Sequence, residues 1–302
     1  MSQDELELVE WLRGRQPHDP AVRLGIGDDM AVLKSSSDCM LVSSDLLLDG
    51  VHFESRRHAP AQIGRKAVAR SLSDCAAMAV RPLAAVVSVA LPHKMILGDA
   101  KELFDGIFAG AAEFAVPIVG GDTARWNNPL AVDVTVIAGP FPGVNPVTRS
   151  GARIGDQILV TGTLGGSLRG RHMTFVPRIA EARLVAERLG GDLHAMIDIS
   201  DGLSLDLWRL CQASGVGAVL DERQLLHVVS EDAKRVAEAD NRSPLEHALS
   251  DGEDYELLIA VSPGVATTGL PLNLVGRVVK EGLALTKADA TIEPLTPKGY
   301  IH

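Results

Sequence analysis

The chain has 302 residues, 46% of them hydrophobic but only 4% aromatic, and a net charge of -10. That length exceeds what one core usually serves and suits two domains of about 150 residues, with interiors of Val, Leu, Ile and Ala in packed α/β layers. The acidic balance, with no cluster of Lys and Arg, argues against a nucleic-acid partner, and a phosphorylated small molecule would need bound cations to reverse the local field.

In chain order, Leu6, Val9 and Leu12, with Trp11 alongside, recur at helical spacing and predict a short N-terminal helix. Met1 to Arg15 lacks the basic start and apolar centre of a signal peptide, and no run is apolar enough for a membrane span. Strands are expected over 39–44, 83–91 and 130–138, and helices over 60–79 and 99–115, where Leu103, Ile107, Ala111 and Phe114 keep one apolar stripe. Pro140 to Pro146 concentrates turn formers and marks a junction between domains 1–145 and 146–302. Beyond it, strands are expected over 157–161, 255–261 and 274–279, and helices over 177–189 and 203–213. Cys39, Cys75 and Cys211 are far apart with no CxxC spacing, so they read as core thiols of a cytoplasmic protein rather than a disulfide framework or zinc site.

The most informative feature is a set of Asp residues at the ends of apolar runs, in Gly- or Ser-flanked turns: Gly27-Asp28-Asp29, Ser43-Ser44-Asp45, Leu72-Ser73-Asp74, Gly120-Gly121-Asp122 and Asp198-Ile199-Ser200-Asp201-Gly202. Carboxylates and hydroxyls without His or Cys suit Mg²⁺, which takes one or two carboxylates and fills its shell with water and phosphate. Any single turn taken alone is better explained by capping of free backbone N–H groups. Asp74 falls inside a helical pattern, where Asp is a poor former, and a salt bridge to Arg70 is the alternative to a ligand role. Gly25-Ile-Gly27 and Thr161 to Gly166 could let backbone N–H groups approach phosphate, although neither is a GxxxxGK[ST] loop nor a GxGxxG turn. Arg149 offers a guanidinium fork to anionic oxygens, and His52 is either a ligand contact or a half-buried histidine.

Taken together, Gly25 to Asp29, Ser43 to Asp45, Gly50-Val-His-Phe53, Leu72 to Met78, Gly120-Gly-Asp-Thr123, Thr148-Arg-Ser-Gly151, Ile197 to Gly202 and Gly252-Glu-Asp-Tyr-Glu-Leu257 resemble the ordered motifs of the thiamine-monophosphate kinases, of the aminoimidazole ribonucleotide synthetase superfamily. The resemblance implies an α+β fold in place of the α/β layers, with two domains and N-terminal domains that dimerise through a β-barrel. It also implies ATP, thiamine monophosphate and several Mg²⁺ ions. Carried over, Asp29, Ser43, Ser44, Asp45, Asp74, Asp122, Asp198 and Asp201 are similar to Mg ligands. Gly121, Asp122, Arg149 and Ser200 match ATP-contacting positions, and His52 and Glu253 substrate-contacting ones.

The implied reaction is direct in-line attack by a phosphate that is already anionic, so no strong general base is needed. Two departures bear on the substrate: Pro297 stands before Lys298-Gly299-Tyr300 where many members carry an aromatic residue, and the 166–177 segment is short. The alternatives are a superfamily enzyme with another acceptor, which predicts a reactive Cys near one terminus, and a non-catalytic nucleotide-binding paralogue, which predicts loss of the Asp turns. The chain ends Tyr300-Ile-His302 and keeps the Asp turns.

Overall fold

The computed structural model describes residues 11–12, 14–15, 20, 22–24, 32–33 and 39–300, and the chain divides into two units, 1–72 with 81–140 and 73–80 with 141–302. In the first unit, β1 (Val22–Leu24) pairs with β2 (Val32–Leu33). Four longer strands, β3 (Leu41–Leu48), β4 (Val80–Pro92), β5 (Ile118–Trp126) and β6 (Ala131–Pro140), form a sheet of order β3-β6-β4-β5. Val132, Val134, Val136 and Ala138 of β6 are buried while Asp133, Thr135 and Ile137 between them are half-exposed, so one face of the sheet is covered. Helix α1 (Pro60–Ala77) lies on that face, where Ser71 Oγ donates to the Val134 carbonyl at 3.0 Å. The opposite face exposes Val42, Ser44 and Leu46 of β3.

Helix α1 meets α2 (Leu97–Glu113) through glycines. A Cβ on Gly106 would lie 2.0 Å from the Ala61 carbonyl oxygen, and one on Gly64 2.1 Å from that of Leu103, so the two backbones touch.

The second unit holds a seven-stranded sheet of order β13-β12-β9-β11-β7-β10-β8, from β7 (Gln157–Val160), β8 (Leu193–Ile199), β9 (Gly217–Asp221), β10 (Glu256–Val261), β11 (Asn273–Val279), β12 (Leu283–Thr286) and β13 (Ile292–Pro294). Helices α3 (Arg171–Thr174), α4 (Ile179–Leu189), α5 (Leu203–Ser214), α6 (Glu222–Leu225), α7 (Glu231–Ala237) and α8 (Pro244–Ser250) complete it. Every residue of β10 is buried. Leu258 and Ala260 share a core with Leu203, Leu207 and Leu210 of α5. Leu257, Ile259 and Val261 share a second core with Ala182 and Val185 of α4. Covered on both sides, the strand reads as a continuous apolar run rather than an alternating one.

The architecture is mixed α+β, with two main sheets and helices packed on them. Among the described residues no helix is long and apolar enough to cross a membrane. Several expectations need correction. Trp11 and Leu12 are helical, but Leu6 and Val9 lie outside the described residues. Cys75 and Cys211 are buried, whereas Cys39 is exposed just before β3. Ser43 to Asp45 and Gly120 to Asp122 are not turns but lie inside β3 and β5. The glycine pair masked β5: a Cβ on Gly121 would stand 2.0 Å from the Val87 carbonyl oxygen of the parallel neighbour β4.

The helix contact makes a paired prediction. Gly106→Ala should cost about 1–3 kcal/mol by overpacking, whereas Gly98→Ala in the same helix, with only Ile96 Cδ1 at 3.9 Å from its Cβ, should be neutral or stabilising. Urea unfolding of the two variants checks this, and equal effects would contradict the backbone contact.

Candidate active site

In the first unit the pleat of β3 separates the three adjacent oxygen donors. Asp45 is on the covered side, with Oδ1 3.5 Å from Arg70 Nε of α1. Ser43, two residues away, shares that side. Ser44 points to the other face, where its Oγ donates to Asp133 Oδ2 at 2.8 Å and lies 2.9 Å from Thr135 Oγ1. Arg70 thus reaches β3.

Asp122 is exposed on β5, one Oδ accepting the Thr123 N–H at 2.8 Å. Its neighbour Gly121 is glycine for the sheet's sake, whereas a Cβ on Gly120 would meet nothing within 4 Å, so the open backbone approach lies at Gly120. His52 is buried after β3. Its Nδ1 accepts the Leu48 N–H at 3.0 Å, which places the ring proton on Nε2, and its carbonyl accepts from the fully buried Lys66 Nζ at 2.6 Å. A cavity of about 880 Å³ opens beside this turn, lined by Asp49, Gly50, His58, His93 and Lys94. Asp29 lies outside the described residues.

The second unit gathers the remaining acids. Ser73, in the last turns of α1, donates to Asp198 Oδ2 at 2.6 Å, joining that helix end to the end of β8. Asp74 is adjacent and half-buried; burial first and the Asp74 charge second push the Cys75 thiol up to about 12. After β8 the chain turns through Ser200 to Gly202, whose φ of 118° only glycine adopts readily. Buried Asp206 closes the turn, its Oδ2 accepting the N–H groups of Asp201 at 2.9 Å and Gly202 at 3.1 Å. Arg209 Nη1 donates to Asp201 Oδ2 and, at 2.7 Å, to Asp206 Oδ1. Burial, followed by the charge of Asp198, pushes the Asp206 carboxyl up to about 7; the Asp201 N–H opposes the rise, the Asp201 charge adds to it, and Arg209 opposes it.

Glu253 and Tyr255 both have positive φ, 57° and 52°, a strained conformation for non-glycine residues that marks functional loops. The Glu253 N–H donates to the Ser200 carbonyl at 2.6 Å, and its Oε1 accepts from Tyr255 Oη at 2.9 Å. Phe175 stacks on Tyr255 with centroids 3.9 Å apart, and His172 Nδ1 lies 3.6 Å from Glu253 Oε2. The sequence reading missed Tyr255, Phe175 and His172, although an aromatic following Glu-Asp was the visible signal. Arg149 is exposed.

In the Thr161 to Gly166 loop, the N–H groups of the last two glycines are already taken by side chains. Gly165 N–H donates to Asp254 and Gly166 N–H to Asp251, each at 3.0 Å, and Arg171 closes over Asp254 at 2.7 Å. An Asp156–His194–Ser262 row, at 2.8 and 3.3 Å, also escaped the sequence reading. Asp156 Oδ2 also holds the Arg153 N–H, at 2.7 Å, so the row ties the 153–156 turn to β8.

Among the described residues no three His, Cys, Asp or Glu side chains converge on one point as a metal cage. The donors come singly or in pairs and all are hard oxygens. That fits Mg²⁺, whose shell is completed by water and substrate phosphate, and does not fit zinc or a calcium loop.

Two family models match the chain, the AIR synthase related protein N-terminal domain over 27–139 and its C-terminal domain over 153–285. The thiamine-monophosphate kinase of Rhodopirellula baltica is 40% identical over 313 residues, covering 99% of this chain and 97% of the relative. Among solved structures, AaThiL complexed with AMPPCP and TMP is 27% identical with TM-score 0.77, covering 99% of this chain and 98% of that one. The hydrogenase maturation protein HypE in complex with ATP shares the fold at 17% identity and TM-score 0.78, covering 99% and 96%. The chain belongs to the AIR synthase related family and, within it, to the thiamine-monophosphate kinases.

The acid cluster makes a pH prediction. In metal-free protein the fold keeps a proton on Asp206 that the unfolded chain has released, so this group's contribution to stability falls as pH rises from about 4 to about 7. Urea unfolding should find the stability difference between wild type and Asp206→Asn moving in favour of Asn across that window. A difference constant with pH would contradict the assignment.

Proposed function

We propose that this chain transfers the γ-phosphoryl group of ATP to thiamine monophosphate, giving thiamine diphosphate and ADP, with several Mg²⁺ ions. The observation that carries the reading is the set of hard-oxygen carboxylates in a chain 40% identical, over almost its whole length, to a thiamine-monophosphate kinase. The solved complex of AaThiL with AMPPCP and TMP supports ATP and thiamine monophosphate as the two ligands.

The Mg ligands would be Asp29, Ser43, Asp45, Asp74, Asp122, Asp198 and Asp201, and Ser44 would join them only by giving up its bonds to Asp133 and Thr135. Bound there, Mg²⁺ supplies charge neutralisation between two anionic reactants and in the transition state. The residues 1–145 would form the ATP- and Mg-binding domain, and 146–302 would add Arg149 and Ser200 toward nucleotide and Glu253 toward substrate. His52, with its Nδ1 occupied, can meet substrate only as a neutral Nε2–H donor. Because the attacking phosphate oxygen is already an anion, these residues have to align and hold rather than remove a proton, and transfer is direct and in line. Stiff attachment suits that task, and Glu253 is held at its N–H, its carbonyl and its carboxylate.

The exposed Met40, Val42 and Leu46 on the uncovered sheet face support pairing of two copies through a β-barrel. The three free thiols suit a cytoplasmic setting.

Purified protein incubated with ATP, MgCl₂ and thiamine monophosphate should yield equal amounts of thiamine diphosphate and ADP by anion-exchange chromatography, abolished by EDTA. Nucleotide binding without that product would reject the acceptor. Asp122→Asn, exposed on β5, should leave thermal unfolding unchanged yet lower turnover on the order of a hundredfold, the scale of losing one preorganised electrostatic contact. Full activity in the variant would reject Asp122 as a ligand.

A further inference from the structure

Asp201 is fastened more thoroughly than a turn residue requires. Its N–H is taken by Asp206 at 2.9 Å and its carbonyl by the Tyr300 N–H at 3.0 Å. The C-terminal segment that brings Tyr300 there is itself clasped to α5. Ser204 Oγ donates to the Lys298 carbonyl at 2.8 Å and accepts the Lys298 N–H at 3.0 Å, and Gly299 passes so close that a Cβ would lie 2.3 Å from the Asp201 carbonyl oxygen. The carboxylate is fixed separately by Arg209, whose Nη1 donates to Asp201 Oδ2 and to Asp206 Oδ1. Arg209 is a third exposed, while both acids it bridges are nearly buried.

A surface arginine gains little from such pairs, whereas two neighbouring buried acids repel unless a cation joins them. Position 209 is one helical turn beyond Asp206 on the same face of α5, so the helix itself sets the guanidinium over both acids. A hydrogen bond of this kind to a ligating carboxylate fixes its rotation.

We propose that Arg209 is a positioning residue for Asp201, setting that carboxylate for a divalent cation. This rests on the reading of Asp201 as a Mg ligand. Asp206 and the Tyr300 strap then hold the backbone of the same turn, and Arg209 holds the side chain.

The test measures Mn²⁺ affinity directly, from loss of the free-Mn²⁺ EPR signal, alongside thermal unfolding and the Mg²⁺ dependence of turnover. Arg209→Met should weaken Mn²⁺ binding and raise half-saturating Mg²⁺ about tenfold or more. Arg209→Lys, which returns a donor and the charge, should recover most of the loss. Arg235→Met, which removes the same charge from an exposed pair with Asp232, should change neither. If the Met variant does not fold, Arg209→Gln, a neutral donor, takes its place. Unchanged Mn²⁺ affinity in a folded Met or Gln variant would overturn the proposal, as would a wild type that binds no Mn²⁺. Wild type that binds Mn²⁺ but makes no thiamine diphosphate would reject the acceptor alone, and a loss of Mn²⁺ affinity in the variant would still support Arg209.

Discussion

Like charges brought together at one end of β8 set the terms for the second unit. Asp198, Asp201 and Asp206 are close enough that, after burial, the charges of the first two raise the carboxyl of the third. A fold tolerates such a cluster only if cations and N–H donors balance it. Arg209, the two turn N–H groups and Ser73 supply part of that balance.

The surrounding architecture serves to keep the turn in place. Helix α5 is anchored by Leu203, Leu207 and Leu210 in one core, and β8 by Met196 in the other. The loop from Gly252 to Tyr255 crosses the same turn, its Glu253 N–H on the Ser200 carbonyl. That loop accepts two strained non-glycine residues, and its acids are held by neighbours: Asp254 by Arg171 and Gly165, and Glu256 by Arg178 at 2.6 Å. The first unit relies on close backbone approach instead, at the α1–α2 glycine contact and at Gly121 beside Val87.

Long periodic segments were legible in the sequence. The helices over 60–77 and 97–113, and strands such as 131–140, fall within a few residues of the expected bounds because apolar spacing alone determines them. Strand β5 was hidden because Gly120-Gly121 looks like a turn, and the demand for glycine came from Val87, 34 residues away in the chain and invisible to any local pattern. Strands β8, β9, β12 and β13 were not expected; β12 and β13 are only four and three residues long and depend on their neighbours for pairing. The acids of the site were legible as a set of motifs, but their partners were not. Nothing near Ser73 in sequence announces Asp198, 125 residues on, and strand pleat, not spacing, sends Ser44 to the face opposite Asp45.

The central claim is that Asp198 and Asp201 are metal ligands beside bound nucleotide. Crystals grown with MnCl₂ and a non-hydrolysable ATP analogue, measured above and below the manganese absorption edge, test it most directly. The account predicts anomalous peaks about 2.1–2.3 Å from a carboxylate oxygen of each, with nucleotide phosphate completing the shell. Ordered nucleotide with no peak at either carboxylate would contradict it.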